Sequence, residues 1–101
     1  MVIFDEFFTW DDTKNRKNAI KHGVNFQEAS SVFKDTDAVV LDDIEHSQDE
    51  DRFIIIGESK QERILMVCHC YRNNDDLIRI ISARKADIEE EEIYENGGVY
   101  S

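Results

Sequence analysis

Most of the predicted architecture of this chain depends on two neighbouring stretches, Arg63-Ile64-Leu65-Met66-Val67-Cys68-His69-Cys70-Tyr71 and Leu77 to Ala83. Both are rich in β-branched and other apolar residues, and Asn73-Asn74-Asp75 between them is typical of a turn. They are therefore predicted to be consecutive antiparallel strands. Two further strands are predicted upstream, over Ala38 to Leu41 and Arg52 to Ile56.

Two helices are predicted before these strands. The first begins near Asp11-Asp12-Thr13, whose side chains can accept hydrogen bonds from the free amides of a helix start, and it ends at Gly23. The second spans about 26 to 34, and Asn25 with Glu28 three residues later resembles a capping box at its start.

A third helix and a short N-terminal strand complete the predicted order, which is β-α-α-β-β-β-β-α. The helix spans about 86 to 95, and the strand lies within the apolar segment Val2 to Trp10. Ile54-Ile55-Ile56 places apolar side chains on both faces of the sheet, so both faces should be covered. The predicted fold is α+β, with two N-terminal helices and a C-terminal helix on a four-stranded, or slightly larger, antiparallel sheet.

The composition bounds the class of protein. With 101 residues the chain is long enough for one hydrophobic core and too short for two, so one domain over 1–101 is expected. No apolar run approaches the roughly 20 residues of a membrane helix, and the start lacks the basic flank of a signal peptide. A cytoplasmic protein outside the membrane is predicted, with Cys68 and Cys70 as reduced thiols.

The triplet Cys68-His69-Cys70 combines two side-chain types that zinc prefers. Successive side chains of a strand point to opposite faces, so the two thiols should share one face and the imidazole should occupy the other. That leaves two ligands on one face, and the chain has no second cysteine pair. We therefore expect neither a metal nor another cofactor.

Two basic clusters stand out in a chain whose net charge is -11. One is the segment Arg79 to Lys85, and the other covers residues 14 to 22, which hold five basic side chains and no carboxylate: Lys14, Arg16, Lys17, Lys21 and His22. The clusters are predicted to converge on one phosphate-sized site. Side chains alternate between the two faces of a strand, and Arg79 and Arg84 are an odd number of residues apart. Both can therefore reach one face only if the strand ends or bulges near Ser82.

The carboxylates are concentrated in two segments. Residues 34 to 51 carry eight carboxylates and one lysine, and residues 87 to 95 carry six carboxylates and no cation. The remainder holds nine acidic and eleven basic side chains. Since phosphate neutralisation drives nucleic-acid affinity, RNA should bind only where the cations are focused. The acidic segments are either a docking surface for a basic partner or ordinary solvated loops and helix faces.

Short motifs occur in a fixed order between about Phe8 and Tyr94, namely Phe8-Thr9-Trp10-Asp11, Lys14, Asn18, Lys21-His22-Gly23, Phe26, Ala29, Phe33, Glu50-Asp51-Arg52-Phe53, Gly57, Arg72 and Arg79 to Lys85. This ordered set resembles the BrnT family of bacterial type II toxins. The resemblance implies a RelE-like fold, metal-independent RNA cleavage that inhibits translation, and neutralisation by a DNA-binding antitoxin called BrnA. It leaves open a homodimer or a toxin-antitoxin heterotetramer.

The chemistry of metal-free RNA cleavage indicates which residue types it needs. The 2′-hydroxyl is the nucleophile, so a site must accept its proton, stabilise charge on phosphorus and help the 5′-oxygen leave. Arginine suits phosphate because its planar fork donates two parallel hydrogen bonds, and histidine titrates near neutrality. By analogy with the family, the catalytic candidates are His22, Glu50, Arg52, Arg72 and Arg79, and the RNA-binding candidates are Trp10, Lys14, Lys21 and Arg84.

Several candidates also have a purely structural interpretation. For Trp10 a core position is favoured, because large aromatic side chains dominate burial. His22 is equally well explained as a helix-terminal residue, and Glu50 with Arg52 as an exposed ion pair. Two functions therefore remain open. One is an RNA-cleaving toxin held inactive by its antitoxin, and the other is a catalytically weak or inactive relative that binds the antitoxin in operon regulation.

Overall fold

The computed structural model describes residues 2–4, 7–47 and 50–98, which contain three α-helices and six β-strands. The helices are α1 (Asp12–His22), α2 (Phe26–Ser31) and α3 (Ile88–Glu95). The strands are β1 (Val2–Phe4), β2 (Phe8–Asp11), β3 (Val39–Asp42), β4 (Phe53–Glu58), β5 (Ile64–Arg72) and β6 (Leu77–Lys85). The prediction of an α+β fold is confirmed. None of the helices described is long and apolar enough to cross a bilayer.

The six strands form one mixed sheet in the order β1-β2-β6-β5-β4-β3. The strands from β3 to β6 pair antiparallel in chain order, as predicted. However, β2 runs parallel to β6, with Phe8 opposite Ile78 and Thr9 opposite Arg79. The sheet, predicted to be four-stranded or slightly larger, has six strands, and the prediction that it is antiparallel is wrong in this pairing. Local propensity carries no information about the direction of a distant partner strand.

The helix boundaries follow their capping residues. Asp11, Asn25 and Asp87 each accept a hydrogen bond from the backbone N–H three residues later, at 3.1, 2.8 and 2.9 Å, and so begin the three helices. Gly23, with φ of 70°, supplies the left-handed residue that ends α1. The predicted second helix is shorter than expected, because Val32–Lys34 tighten into a 3₁₀ turn.

The core lies between one face of the sheet and the pair α1 and α2. The Asn18 side chain ties α1 to β6 by donating to the Ala83 carbonyl at 2.8 Å and accepting from the Ala83 N–H at 3.2 Å. We call this side of the sheet the core face. Its buried cluster consists of Phe8, Trp10, Val24, Phe26, Ala29, Val32, Ile55, Leu65, Val67, Ile80 and Ala83.

The opposite face is covered only in part by α3. This helix contacts β4, and Glu90 pairs with Arg84 of that face, but no residue of α3 is buried. The segment before β4 covers another part, because the Asp43 carboxylate accepts a hydrogen bond from the Cys68 thiol of β5 at 3.6 Å. The expectation that both faces of the sheet are covered is therefore met only in part on this side.

A bulge in β6 determines which side chains share a face. The register against β5 shifts between Cys68 and His69, which leaves Ile81 as an extra residue in β6. Alternation resumes beyond Ile81 with reversed parity. Arg79 and Arg84 consequently point to the same side, away from the core face. The predicted bulge near Ser82 is therefore present.

Glu28, predicted as the second residue of a capping box, is a buried carboxylate instead. It is 2% exposed and accepts hydrogen bonds from Arg63 Nε at 2.9 Å and from the Ser59 hydroxyl at 2.7 Å. A second guanidinium nitrogen of Arg63 also contacts Glu28 and donates to the Gly23 carbonyl at 3.0 Å. The Arg63 hydrogen bond is the main cause that holds the pKa of Glu28 below its ordinary value. This network joins α2 to the β4–β5 turn and to the end of α1.

Candidate functional site

Four arginines lie on the sheet face opposite the core. Strand alternation in the observed register places them on the side that Cys68 and Cys70 share. One precedes β4, one ends β5 and two belong to β6. We call this surface the arginine face, and its members are Arg52, Arg72, Arg79 and Arg84.

Glu50 lies between two of these arginines. The Arg72 guanidinium donates to Glu50 Oε2 at 2.6 Å, and Arg52 Nε lies 3.9 Å from Glu50 Oε1. The hydrogen bond from Arg72 is the main cause that holds the pKa of Glu50 below its ordinary value, against the opposing effect of partial burial. A carboxylate with a lowered pKa is a weak proton acceptor. The geometry therefore favours Glu50 as a residue that orients arginines.

Two members of the arginine face keep donors without an acceptor. Within the described ranges, Arg79 takes part in no ion pair, and the buried Nε of Arg52 has no hydrogen-bond partner. Arg79 lies between Thr9 of β2 and Cys70 of β5, and the Thr9 hydroxyl is also buried without a partner there. Buried donors are normally satisfied. An anionic oxygen bound here would satisfy them.

Carboxylates from both acidic segments reach the arginine face. Glu90 of α3 fills the fork of Arg84 with two hydrogen bonds, of 2.7 and 3.0 Å, and Glu50 occupies Arg72. The acidic segments were expected to be a docking surface or solvated loops and helix faces, but two of their carboxylates bind arginines of this face. Sequence distance does not show that a loop and a helix flanking a sheet will fold over its face. A phosphate at Arg72 or Arg84 must compete with a carboxylate.

A cavity of about 310 Å³ opens on the arginine face. This volume is at the lower end of the range of about 300–1,000 Å³ for small-ligand sites. Its walls combine cationic, apolar and acidic groups, among them Arg52, Arg84, Ile54, Met66, Asp43 and His46. The cavity therefore brings the segment before β4 together with two of the four arginines.

His46 and Asp43 form a pair at the rim of this cavity. His46 Nδ1 lies 3.0 Å from each carboxylate oxygen of Asp43, and the imidazole is 62% exposed. Asp43 is buried, and its Oδ2 accepts from the Cys68 thiol at 3.6 Å. Burial, with a further contribution from the Asp43 charge, raises the pKa of Cys68 to about 11, so the thiol keeps its proton at neutral pH. His46 was not among the predicted site residues, and its only signal in the sequence is the three-residue spacing from Asp43.

The predicted cations of α1 do not join the arginine face. Lys14 and Lys21 are exposed and His22 is half-buried in the last turn, where a basic residue complements the helix dipole. The helix that carries them is bound to the other side of the sheet, where Asn18 bonds to Ala83 on the core face. The convergence of the two basic clusters is not observed, because α1 packs with the core.

Trp10, an RNA-binding candidate, is a core residue. Its side chain is 3% exposed and packs edge-to-face on Phe26, with ring centroids 6.2 Å apart. The indole is therefore not open to a nucleic-acid base in this structure, and the structural interpretation of this residue is the right one.

The triplet Cys68-His69-Cys70 splits between the two faces, as strand alternation predicts. On the arginine face, the Arg72 guanidinium donates to the Cys70 sulfur at 3.1 Å. On the core face, His69 packs edge-to-face on Phe33, with ring centroids 4.8 Å apart. Burial lowers the pKa of His69, which keeps the ring neutral. Across the described ranges, no group of three or more His, Cys, Asp or Glu side chains has an arrangement that could hold a metal ion.

The comparisons with known proteins concern the same part of the chain. The family model described as the ribonuclease toxin BrnT of type II toxin-antitoxin systems matches residues 10–90. The chain belongs to the BrnT family. The match includes all nine predicted site residues, and the resemblance seen in the motifs is confirmed. As a member of a type II toxin family, this BrnT chain is expected to act with an antitoxin.

A solved BrnT structure is similar to this one. It is the ribonuclease toxin BrnT of Brucella abortus, 26% identical, with a TM-score of 0.58 over 77% of this chain and 92% of that chain. No curated protein matches the sequence significantly. The two structures share the α+β architecture, and the arginine face of this BrnT chain lies on its sheet.

Proposed function

We propose that this chain is a metal-independent endoribonuclease toxin and that the arginine face is its cleavage site. The observation that carries the proposal is the gathering of four arginines on one sheet face of a BrnT-family chain. Within the described residues, Arg79 forms no ion pair there and the buried Nε of Arg52 forms no hydrogen bond. Two-pronged guanidinium donors match phosphate oxygens, and they remain charged at any physiological pH. Such a site can stabilise charge on phosphorus without a metal.

The four arginines differ in their proposed roles. Arg79, which forms no ion pair in the described residues, and Arg52, whose Nε forms no hydrogen bond, bind the scissile phosphate and stabilise its transition-state charge. Arg72, oriented by Glu50, contacts the neighbouring phosphate. Arg84 binds RNA after Glu90 leaves its fork. Lys14, Lys21 and His22 on α1 contact RNA only outside the cleavage site.

The proposed partner is a BrnA-type, DNA-binding antitoxin in a toxin-antitoxin complex. DNA-binding proteins are basic, and the α3 helix offers them a strongly acidic surface whose first residue, Ile88, is 76% exposed. Binding at α3 would lie next to the Glu90–Arg84 pair. An antitoxin at this position can block RNA access to the arginine face, and either a heterodimer or a heterotetramer is compatible with it.

A second function is favoured by one observation. Glu50 and Glu90 occupy the forks of Arg72 and Arg84, and the segment before β4 adds further carboxylates to the same face. This competition reduces the attraction for RNA. A weakly active or inactive relative, which binds the antitoxin and adjusts its DNA occupancy, would have this charge pattern.

Induced expression in a bacterial host without the antitoxin separates the two functions. The wild type should arrest growth and degrade bulk RNA, while Arg79→Ala should do neither at equal soluble level. Arg16→Ala, which removes an exposed arginine of α1 that pairs with Asp12 at 3.6 Å, is the matched control and should behave as the wild type. Normal growth with folded, soluble wild type would overturn the toxin proposal and favour the regulatory role.

A further inference from the structure

We propose that His46 is the general base of the RNA cleavage, oriented by Asp43 as a positioning residue. The inference rests on the proposed function and names the group that accepts the proton in it. Three observations support it. Asp43 contacts the His46 ring, both residues line the cavity that Arg52 and Arg84 also line, and the other histidines lie elsewhere.

The contact with Asp43 sets the tautomer of the imidazole. An ionised carboxylate only accepts hydrogen bonds, so Nδ1 of His46, at 3.0 Å from both oxygens, must carry the proton. The other ring nitrogen, Nε2, is then left with a free lone pair. A ring fixed in this state by a carboxylate is the usual arrangement for a histidine base, because the carboxylate also stabilises the imidazolium that forms.

Asp43 is itself held in place by three hydrogen bonds besides its contact with His46, and one of their partners, Ser47, also bonds to Arg52. The Cys68 thiol donates to its carboxylate at 3.6 Å, and its backbone N–H donates to the Arg52 carbonyl at 2.9 Å. The Ser47 hydroxyl donates to the Asp43 carbonyl at 2.6 Å and accepts from the Arg52 N–H at 3.0 Å. These bonds couple the position of the dyad to that of Arg52, a proposed phosphate ligand. Because the histidine and Arg52 are held by the same hydrogen bonds, the proton acceptor and the phosphate donor keep a fixed position relative to each other.

The other ionisable groups are less suitable as the base. The chain has three histidines, and His69 is fully buried on the core face while His22 lies on α1. The pKa of Glu50 is lowered, mainly by the Arg72 hydrogen bond, so this carboxylate accepts protons poorly. Of the histidines, His46 alone reaches the cavity on the arginine face.

The proposed step conserves atoms and charge. Nε2 of His46 takes the proton of the 2′-hydroxyl, the 2′-oxygen forms a bond to phosphorus, and the bond between phosphorus and the 5′-oxygen breaks. The leaving 5′-oxygen takes a proton from water, and the imidazolium returns its proton to solvent. The products are a 2′,3′-cyclic phosphate and a 5′-hydroxyl, without any redox change.

Several charged and titratable groups face His46 and will shape the pH dependence of this step. They come from its own segment, from the residue that precedes β4, and from β5 and β6, and they are Asp43, Glu45, Arg52, Cys68 and Arg84. The Cys68 thiol, whose pKa is raised to about 11, stays neutral over the range in which an imidazole titrates.

The test is the pH profile of single-turnover cleavage of a short RNA by wild type, His46→Ala, His46→Gln and Asp43→Asn. Arg16→Ala, which removes an exposed pair with Asp12, is the matched control, and His22→Ala tests for a base on α1. Both His46 variants should lose about 100- to 10,000-fold in rate, together with the near-neutral limb of the profile. Binding of the same RNA with a 2′-deoxy scissile nucleotide should change by less than about threefold. Added imidazole should partly restore His46→Ala, and Asp43→Asn should be slower with a shifted limb.

The outcomes separate this inference from the proposed function. If the wild type cleaves RNA and His46→Ala matches it in rate and profile, or if rate and RNA binding fall in parallel, His46 is not the base. If His22→Ala instead removes the neutral limb, the base lies on α1. If the folded wild type does not cleave RNA at all, the proposed function fails and this inference fails with it.

Discussion

Arg79→Ala is expected to slow RNA cleavage about 100- to 1,000-fold, which is the usual cost of removing one donor that stabilises transition-state charge. Arg79 is placed centrally on the arginine face, between β2 and β5, and it forms no ion pair within the described ranges. Its guanidinium is therefore available to phosphate without displacing a carboxylate. Because the side chain is half-buried and outside the core cluster, the fold should persist.

The measurement is the cleavage rate of a defined RNA under single-turnover conditions, with circular dichroism and thermal unfolding to verify the fold. Arg79→Lys keeps the charge but loses the fork, so its rate should lie between those of the wild type and Arg79→Ala. Arg16→Ala should cleave at the wild-type rate. In a plot of log binding constant against log salt concentration, the slope for RNA binding should be smaller by about one unit in Arg79→Ala. A folded Arg79→Ala variant with wild-type cleavage would exclude Arg79 from the site.

Arg63→Ala is expected to lower the free energy of unfolding by about 2–4 kcal/mol. The substitution leaves the Glu28 carboxylate, 2% exposed, without its cationic partner. Breaking a fully buried pair costs about 3–5 kcal/mol, and the value should be lower here because the Arg63 side chain is 28% exposed. Urea unfolding at neutral pH measures the loss. Arg16→Ala removes an exposed pair and should change stability by less than about 1 kcal/mol.

The same network predicts a pH dependence with a definite sign. The pKa of Glu28 is lower in the folded protein than its ordinary value of 4.5, so the charged form stabilises the fold above pH 4.5. This contribution is lost as the pH falls through the folded pKa. Glu28→Gln should therefore be less stable than wild type at pH 7, and the difference should shrink steadily below about pH 4.5. A difference that is constant with pH would exclude an ionised Glu28 as its cause.

Features encoded by contiguous residues could be predicted from the sequence. The cap residues Asp11, Asn25 and Asp87 began the three helices within two residues of the predicted starts, because a cap acts on its own first turn. The strands of β5 and β6 and the turn between them followed from composition in the same way. Family motifs indicated Arg52, Arg72, Arg79 and Arg84 together, and the register places all four on one face.

Features that depend on distant contacts could not be predicted in this way. The parallel pairing of β2 with β6 joins segments about 70 residues apart, and no local pattern records its direction. Glu28 satisfies a local capping pattern but pairs with Arg63, 35 residues away, because burial makes an unpaired carboxylate too costly. His46 reaches the cavity because the Asp43 N–H and the Ser47 hydroxyl bond to Arg52 and the Asp43 carboxylate bonds to Cys68, and none of these contacts is recorded in a local pattern.

The decisive measurement is cleavage of a short RNA by the purified chain in excess EDTA, with chemical analysis of the product ends. We predict cleavage that persists in EDTA, yields 2′,3′-cyclic phosphate and 5′-hydroxyl ends, and is lost in the folded variant Arg52→Ala/Arg79→Ala. Persistence of cleavage in that double variant would contradict the arginine face as the site. Cleavage abolished by EDTA and restored by a divalent metal, or no cleavage by the folded wild type, would contradict a metal-independent ribonuclease.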